Sequence, residues 1–257
     1  MRINFLIATA VATAALAAGQ TTTPAKPAAQ SATQHKRPSS TAAHKPVASP
    51  AAQRPTAVID TSAGQLTCAL FPEKAPNGVK NFVGLATGTK DWMNPKNRQL
   101  VHGKPLYDGT ICHRIIPEFM IQCGDPLGTG EGGPGYKFDN EISPDLKFDV
   151  PGLLAYANSG QDESGHGTNG SQFFITERAL PEQHQLILNG NYTIFGQCSP
   201  QSVEVVKQIA RGPLKPGTRD QAAEPAVIKH ITILNWKQQP AKATPKPGVR
   251  TPKKPQK

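Results

Sequence analysis

Much of what commonly marks an active site is missing from this 257-residue chain. It has no C-x-x-C pair, no G-x-S-x-G and no H-E-x-x-H, which removes a zinc module, a serine hydrolase elbow and a zinc protease from consideration. Cysteine is limited to Cys68, Cys112, Cys123 and Cys198. A chain of this length can build a core without covalent staples. All four cysteines sit in apolar runs, so buried free thiols are expected, with disulfides as the alternative in an oxidising compartment. Acidic residues are absent before Asp60 and after Glu224. Residues 21–55 also lack any aromatic, and Val47 is their one long aliphatic.

These gaps divide the chain. Residues 18–55 and 237–257 are dominated by Ala, Pro, Thr, Ser, Gln and Lys and cannot bury enough apolar surface to offset chain entropy, so both are expected to be disordered. The net charge of +10 belongs to these arms: residues 21–55 carry +5 and residues 237–257 carry +7. Residues 56–236 hold 15 Lys and Arg against all 18 Asp and Glu, a net of −3. A basic total would suggest nucleic acid, but this distribution argues against it. The arms read first as solubilising spacers, and second as a weak contact to an anionic surface.

The first residues, "MRINFLIATAVATAALA", have Arg2, an apolar run and an A-x-A ending. That layout predicts a signal peptide over 1–17 and an exported, periplasmic or secreted protein; a membrane anchor is the alternative.

Residues 56–236 read as mainly β. "TAVIDTSAGQLTCALF" predicts a hairpin about Thr61–Gly64. "APNGVKNFVGLATG" has Pro76 at its start, Val79, Phe82, Val83 and Ala86 at helical spacing, and Gly88 as its stop. Six further short β-rich segments follow, and "SPQSVEVVKQIARG" predicts a second helix. Many short strands and two helices predict a closed antiparallel β-barrel. Two long loops, 88–109 and the glycine-rich 125–136, interrupt it. Gly128, Gly130 and Gly133 formally match a dinucleotide fingerprint, but Pro134-Gly135 stands where its helix must begin. These glycines are expected to serve tight turns beside another chain segment.

The segment "CHRIIPEFMIQCGDP", residues 112–126, looks chemical yet holds no activated nucleophile and no carboxylate pair. Cys112 and His113 are adjacent on a strand, face opposite ways and cannot couple. Strand alternation puts Met120 with Gln122 on one face, and Gln172 with Phe174 on another. If those strands neighbour each other, an apolar patch with two amides results.

"HRIIPEFMIQCGDPLGTGEGG", "LLAYANSG", "TNGSQFFIT" and "YTIFGQ" occur in this order. Together they resemble the cyclophilin family of peptidyl-prolyl cis–trans isomerases over residues 56–236. The resemblance implies an eight-stranded antiparallel barrel closed by two helices, no cofactor and no metal. It implies Arg114 as the catalytic residue, and Phe119, Met120, Phe174 and Leu188 as walls of a proline pocket. Gln122 and Gln172 would contact the peptide backbone. Ala157, Asn158 and Ser159 would pair with the substrate chain, His113 would neighbour the site, and Tyr192 would stand where many relatives have His. Ile187 falls where many eukaryotic relatives have Trp, which puts cyclosporin sensitivity in question. Residues 161–167 exceed the usual length by about five residues. The implied partners are proline-containing polypeptides, such as flexible exported proteins, met by a monomer. A proline-peptide binding module or chaperone is the alternative.

Overall fold

A computed structural model describes residues 54–237. The expected signal peptide, nearly all of the 18–55 linker and all but the first residue of the basic tail lie outside the described residues. β1 (Thr56–Thr61) and β2 (Gly64–Leu70) form the expected hairpin, followed by helix α1 (Pro76–Thr87). Pro76 suits the first helical turn because it lacks an N–H that would be unsatisfied there. Gly88 ends the helix at φ 70°, the left-handed conformation that glycine adopts freely. Ala75 offers α1 no side-chain cap. Glu141 caps it from a distance, accepting from the N–H of Asn77 at 3.0 Å and of Gly78 at 2.8 Å.

The 88–109 segment is not a bare loop. It holds β3 (Trp92–Asn94) and β4 (Gln99–Val101), paired antiparallel. Next come β5 (Arg114–Ile116), β6 (Met120–Cys123), β7 (Leu153–Tyr156) and β8 (Phe173–Thr176). Helix α2 (Glu182–Leu188), strand β9 (Ile194–Cys198), helix α3 (Pro200–Ala210) and strand β10 (Ile228–Leu234) complete the order. Three helices are therefore described where two were expected. Seven-residue α2 buries only Leu188 and so carries little hydrophobic periodicity.

The eight long-sheet strands are antiparallel and run β10-β1-β2-β9-β7-β8-β6-β5. The expected closed barrel is corrected to a curled sheet, because no ladder joins β5 to β10 among the described residues. Irregular contacts cross that gap instead. Ile111 bridges Val227, Arg114 bridges Gln221, and the Cys112 N–H donates to the Ala226 carbonyl at 2.8 Å. The crossing segment contains Pro213, Pro216 and Pro225, which have no N–H to give a continuous ladder.

At β7 and β8 the sheet is buried on both faces, which accounts for their unbroken apolar runs. Ile121, Leu154, Tyr156, Phe173, Ile175 and Phe195 point into the main core. Their neighbours Met120, Leu153, Ala155, Phe174 and Ile194 join a smaller apolar cluster on the other face, with Phe148 and Leu188. This second cluster backs the candidate site.

The thiol expectation is also corrected. Cys68 bonds Cys198, and Cys112 bonds Cys123. Cys68 and Cys198 are register partners across β2 and β9. Cys112 precedes β5 and Cys123 ends β6, so the antiparallel pairing of those strands brings them together. Both pairings depend on strand register, which cysteine spacing alone does not reveal.

Candidate active site

Four neighbouring strand segments and two loops build the site. Across β5 and β6, Arg114 is the register partner of Gln122; across β6 and β8, Gln122 is the partner of Phe174. The condition on the two strands is met, since β6 pairs with β8, and the period of two turns Met120, Gln122 and Phe174 toward one cavity of about 590 Å³. His113, Phe119, Ala157, Asn158, Leu188 and Tyr192 also face it. Gln172 and Ser159 line an adjoining cavity of about 880 Å³, which shares Gln122, Ala157 and Asn158 with the first. All twelve residues singled out in the sequence therefore surround one continuous depression.

Its polar side is a directed hydrogen-bond chain. The Arg114 Nε–H donates to Asp220 Oδ2 at 2.8 Å, and Arg114 Nη1 donates to Gln122 Oε1 at 3.2 Å. Gln122 Nε2 donates to Gln172 Oε1 at 2.8 Å. Gln172 Nε2 donates to the carbonyls of Gly130 (2.8 Å) and Gly132 (2.9 Å). Each amide is oriented by the next, and the guanidinium is gripped from two sides. Arg114 Nη2 has no protein acceptor among the described residues.

The glycine-rich loop at the end of this chain is shaped by buried Asp125. Its carboxylate accepts from the N–H of Leu127 (2.7 Å), Thr129 (2.9 Å) and Gly130 (2.6 Å). Burial works to raise the Asp125 pKa, but these bonds and one from Gly132 outweigh it and hold the carboxyl below its ordinary value. A side chain on Gly132 would collide with Asp125 Oδ1, so this glycine does serve close approach. Asp-Pro at 125–126 is a turn signal visible in the sequence.

The apolar side is aromatic. The Phe174 ring stacks on Phe148 with centroids 5.7 Å apart and meets Tyr192 edge-on at 5.7 Å. Phe119 is held more loosely, 6.5 Å from Phe174 and 5.9 Å from the His184 ring. Asn158 directs its side chain to the Asn191 carbonyl at 3.0 Å and to Asn140 at 3.2 Å. Its own N–H and C=O have no partner among the described residues. His113 is buried, and neither ring nitrogen has a hydrogen-bond partner among the described residues. Burial pushes its pKa below the ordinary imidazole value, against the opposing pull of Asp125.

Sequence reasoning missed Asp220, Lys215 and His184. Asp220 lies 106 residues from Arg114, in a loop with no local pattern pointing to the site. Lys215 lines the cavity from the same loop, and His184 belongs to the unexpected helix α2.

A family model described as cyclophilin type peptidyl-prolyl cis-trans isomerase/CLD matches residues 56–236. The chain belongs to the cyclophilin family. It is 48% identical over 179 residues to peptidyl-prolyl cis-trans isomerase A of Mycobacterium tuberculosis, covering 69% of this chain and 91% of that protein. Peptidyl-prolyl cis-trans isomerase B of Streptomyces anulatus is 46% identical over 178 residues, covering 69% and 95%. A crystal structure of a Cryptosporidium parvum cyclophilin is 35% identical with a TM-score of 0.56, covering 70% of this chain and 96% of that one. A second structure of that protein, in the presence of the dipeptide Ala-Pro, has a TM-score of 0.54 at 34% identity and covers 70% and 98%. This cyclophilin is thus a peptidyl-prolyl cis–trans isomerase, and its depression is the place to look for that chemistry.

Proposed function

We propose that this cyclophilin isomerises X–Pro bonds by holding the proline ring against Phe119, Met120, Phe174 and Leu188 while Arg114 stabilises the twisted amide. Resonance sets the barrier to rotation at about 18–20 kcal/mol. At X–Pro both isomers are accessible, and exchange takes roughly tens to hundreds of seconds. No bond to carbon forms or breaks, so the reaction requires no nucleophile. What lowers the barrier is a donor that favours the perpendicular amide, whose nitrogen has regained its lone pair. A charged hydrogen bond contributes about 1.5–3 kcal/mol, and a thousandfold acceleration needs about 4 kcal/mol. One fixed guanidinium in a partly dry pocket, with backbone contacts holding the flanks, is of the right size.

The carrying observation is the two-sided grip on Arg114, which lines the same cavity as Phe119, Met120, Phe174 and Leu188 and whose Nη2 is unpaired among the described residues. Proline-peptide binding is supported by the Ala-Pro dipeptide present with the Cryptosporidium relative. The unpaired backbone of Asn158 suits an extended substrate. Arg114→Ala should lose most turnover of an X–Pro peptide while keeping the fold. Unchanged turnover in that variant would remove the arginine from the mechanism.

We further propose that the clients are exported proteins, met in a periplasm or outside the cell. The layout of residues 1–17 and the two disulfides support this, since such bonds persist in oxidising compartments. Recovery of the protein beginning at residue 18 in a non-cytoplasmic fraction is expected. Recovery of the uncleaved chain in the cytoplasm would defeat the assignment.

A further inference from the structure

Phe119 lies in the three-residue connection Pro117-Glu118-Phe119 between β5 and β6, across which Ile116 pairs with Met120. Its ring packs at the edge of the second apolar cluster, with one face open to the cavity, and its backbone belongs to this turn. That backbone is unusual. Glu118 has φ 63°, the left-handed conformation that glycine commonly fills in such hairpins.

Glu177 holds the turn at two points. Its Oε1 accepts from the Glu118 N–H at 2.7 Å, and its own N–H donates to the Phe119 carbonyl at 3.0 Å. The Glu177 side chain is only 1% exposed. Arg211, at the end of α3, reaches its two oxygens at 2.8 and 3.2 Å and also reaches Glu118 at 2.6 Å. Arg178 holds the other Glu118 oxygen at 2.7 Å. Pairing a buried carboxylate with a half-exposed guanidinium is a poor way to gain stability, because desolvating the carboxylate offsets much of the attraction. It is a good way to fix one backbone geometry, and the geometry fixed here is that of a pocket wall.

We propose that Glu177, supported by Arg211, is a positioning residue for substrate, fixing Phe119 through the strained turn at Glu118. This rests on the reading of Phe119 as a wall of the proline pocket. A wall grips the ring about equally in the ground and transition states, so its displacement raises KM and spares kcat.

The test measures both constants on a tetrapeptide X–Pro substrate, with unfolding curves for every variant. Glu177→Leu, which removes the acceptor for the Glu118 N–H, should raise KM roughly tenfold and change kcat by less than about twofold. Adding Glu118→Gly, a residue that takes φ 63° unaided, should return KM to within roughly twofold of the parent. General loosening of the fold would not be repaired by that glycine. Unchanged KM, a loss confined to kcat, or a raised KM that Glu118→Gly does not restore each overturns the proposal. If Glu177→Leu does not fold, half-exposed Arg211→Gln replaces it with the same expected rise and the same rescue. Phe119→Ala is the control: if it leaves KM unchanged, the pocket reading fails, independently of Glu177.

Discussion

His113 adjoins Arg114 in sequence and is its opposite in environment. The guanidinium is half-exposed and held by Asp220 and Gln122, whereas the imidazole is buried with both ring nitrogens unpartnered. Burial therefore favours its neutral form, and its pKa falls below 6.5 in the folded protein despite Asp125 and Asp220 nearby. Unfolding releases the ring to its ordinary value. Between the two values the unfolded chain binds more protons, so stability rises with pH through that window and falls as pH drops below 6.5. For one group the slope is at most about 1.4 kcal/mol per pH unit. His113→Leu should flatten the pH dependence of urea unfolding below pH 6.5, leaving the curve above it parallel to the parent's. An equal slope in both proteins would show that His113 does not titrate in this way. At this scale the strand alternation made the shared faces of Met120 with Gln122 and of Gln172 with Phe174 legible, while Arg114 was reached only through the family resemblance. Alternation could not reach Asp220, whose partnership exists only after the irregular 212–226 segment folds back beside β5.

Among the elements, α1 was readable from its own sequence, and what holds its start was not. Ala75 provides no cap, and the first turn has no acidic residue. Glu141 performs both roles from 64 residues away, accepting two of the N–H groups that the first turn leaves open. Loss of a good N-terminal cap costs about 0.5–2 kcal/mol. Glu141→Ala should therefore lower unfolding stability by about 1 kcal/mol and leave isomerase kcat/KM near the parent's, since Glu141 lies outside the depression. A stability equal to the parent's would mean that water replaces the carboxylate at no cost. The β3–β4 hairpin escaped sequence reasoning for a related reason. It docks through the Met93 N–H to the Pro134 carbonyl at 2.9 Å. A side chain on Gly135 would also come within 2.5 Å of Met93 Cβ. Its strands are short and partly exposed, so their order comes from tertiary contact more than from alternation.

Over the whole molecule, the charge is divided as the fold is. Residues 56–236 net −3 and hold the sheet, both disulfides and the depression, while the segments on either side net +5 and +7. Thr56 at the start of β1 pairs with Leu234 at the end of β10, so the two ends of the described domain are adjacent. Twelve positive charges on the segments that adjoin those ends would attract an anionic surface more strongly than either set alone, and salt would weaken the attraction. The chemistry has no such dependence, because every group of the hydrogen-bond chain and the apolar wall belongs to the acidic domain. A protein restricted to residues 54–237 should keep kcat/KM for a short X–Pro peptide within about twofold, because chain ends with few buried contacts tolerate removal. On anionic lipid vesicles at low salt, the chain from residue 18 should sediment and the shortened protein should not. If both stay in solution, the basic segments act as solubilising spacers. If the shortened protein loses activity, the arms contribute to the site, contrary to the division of charge and fold.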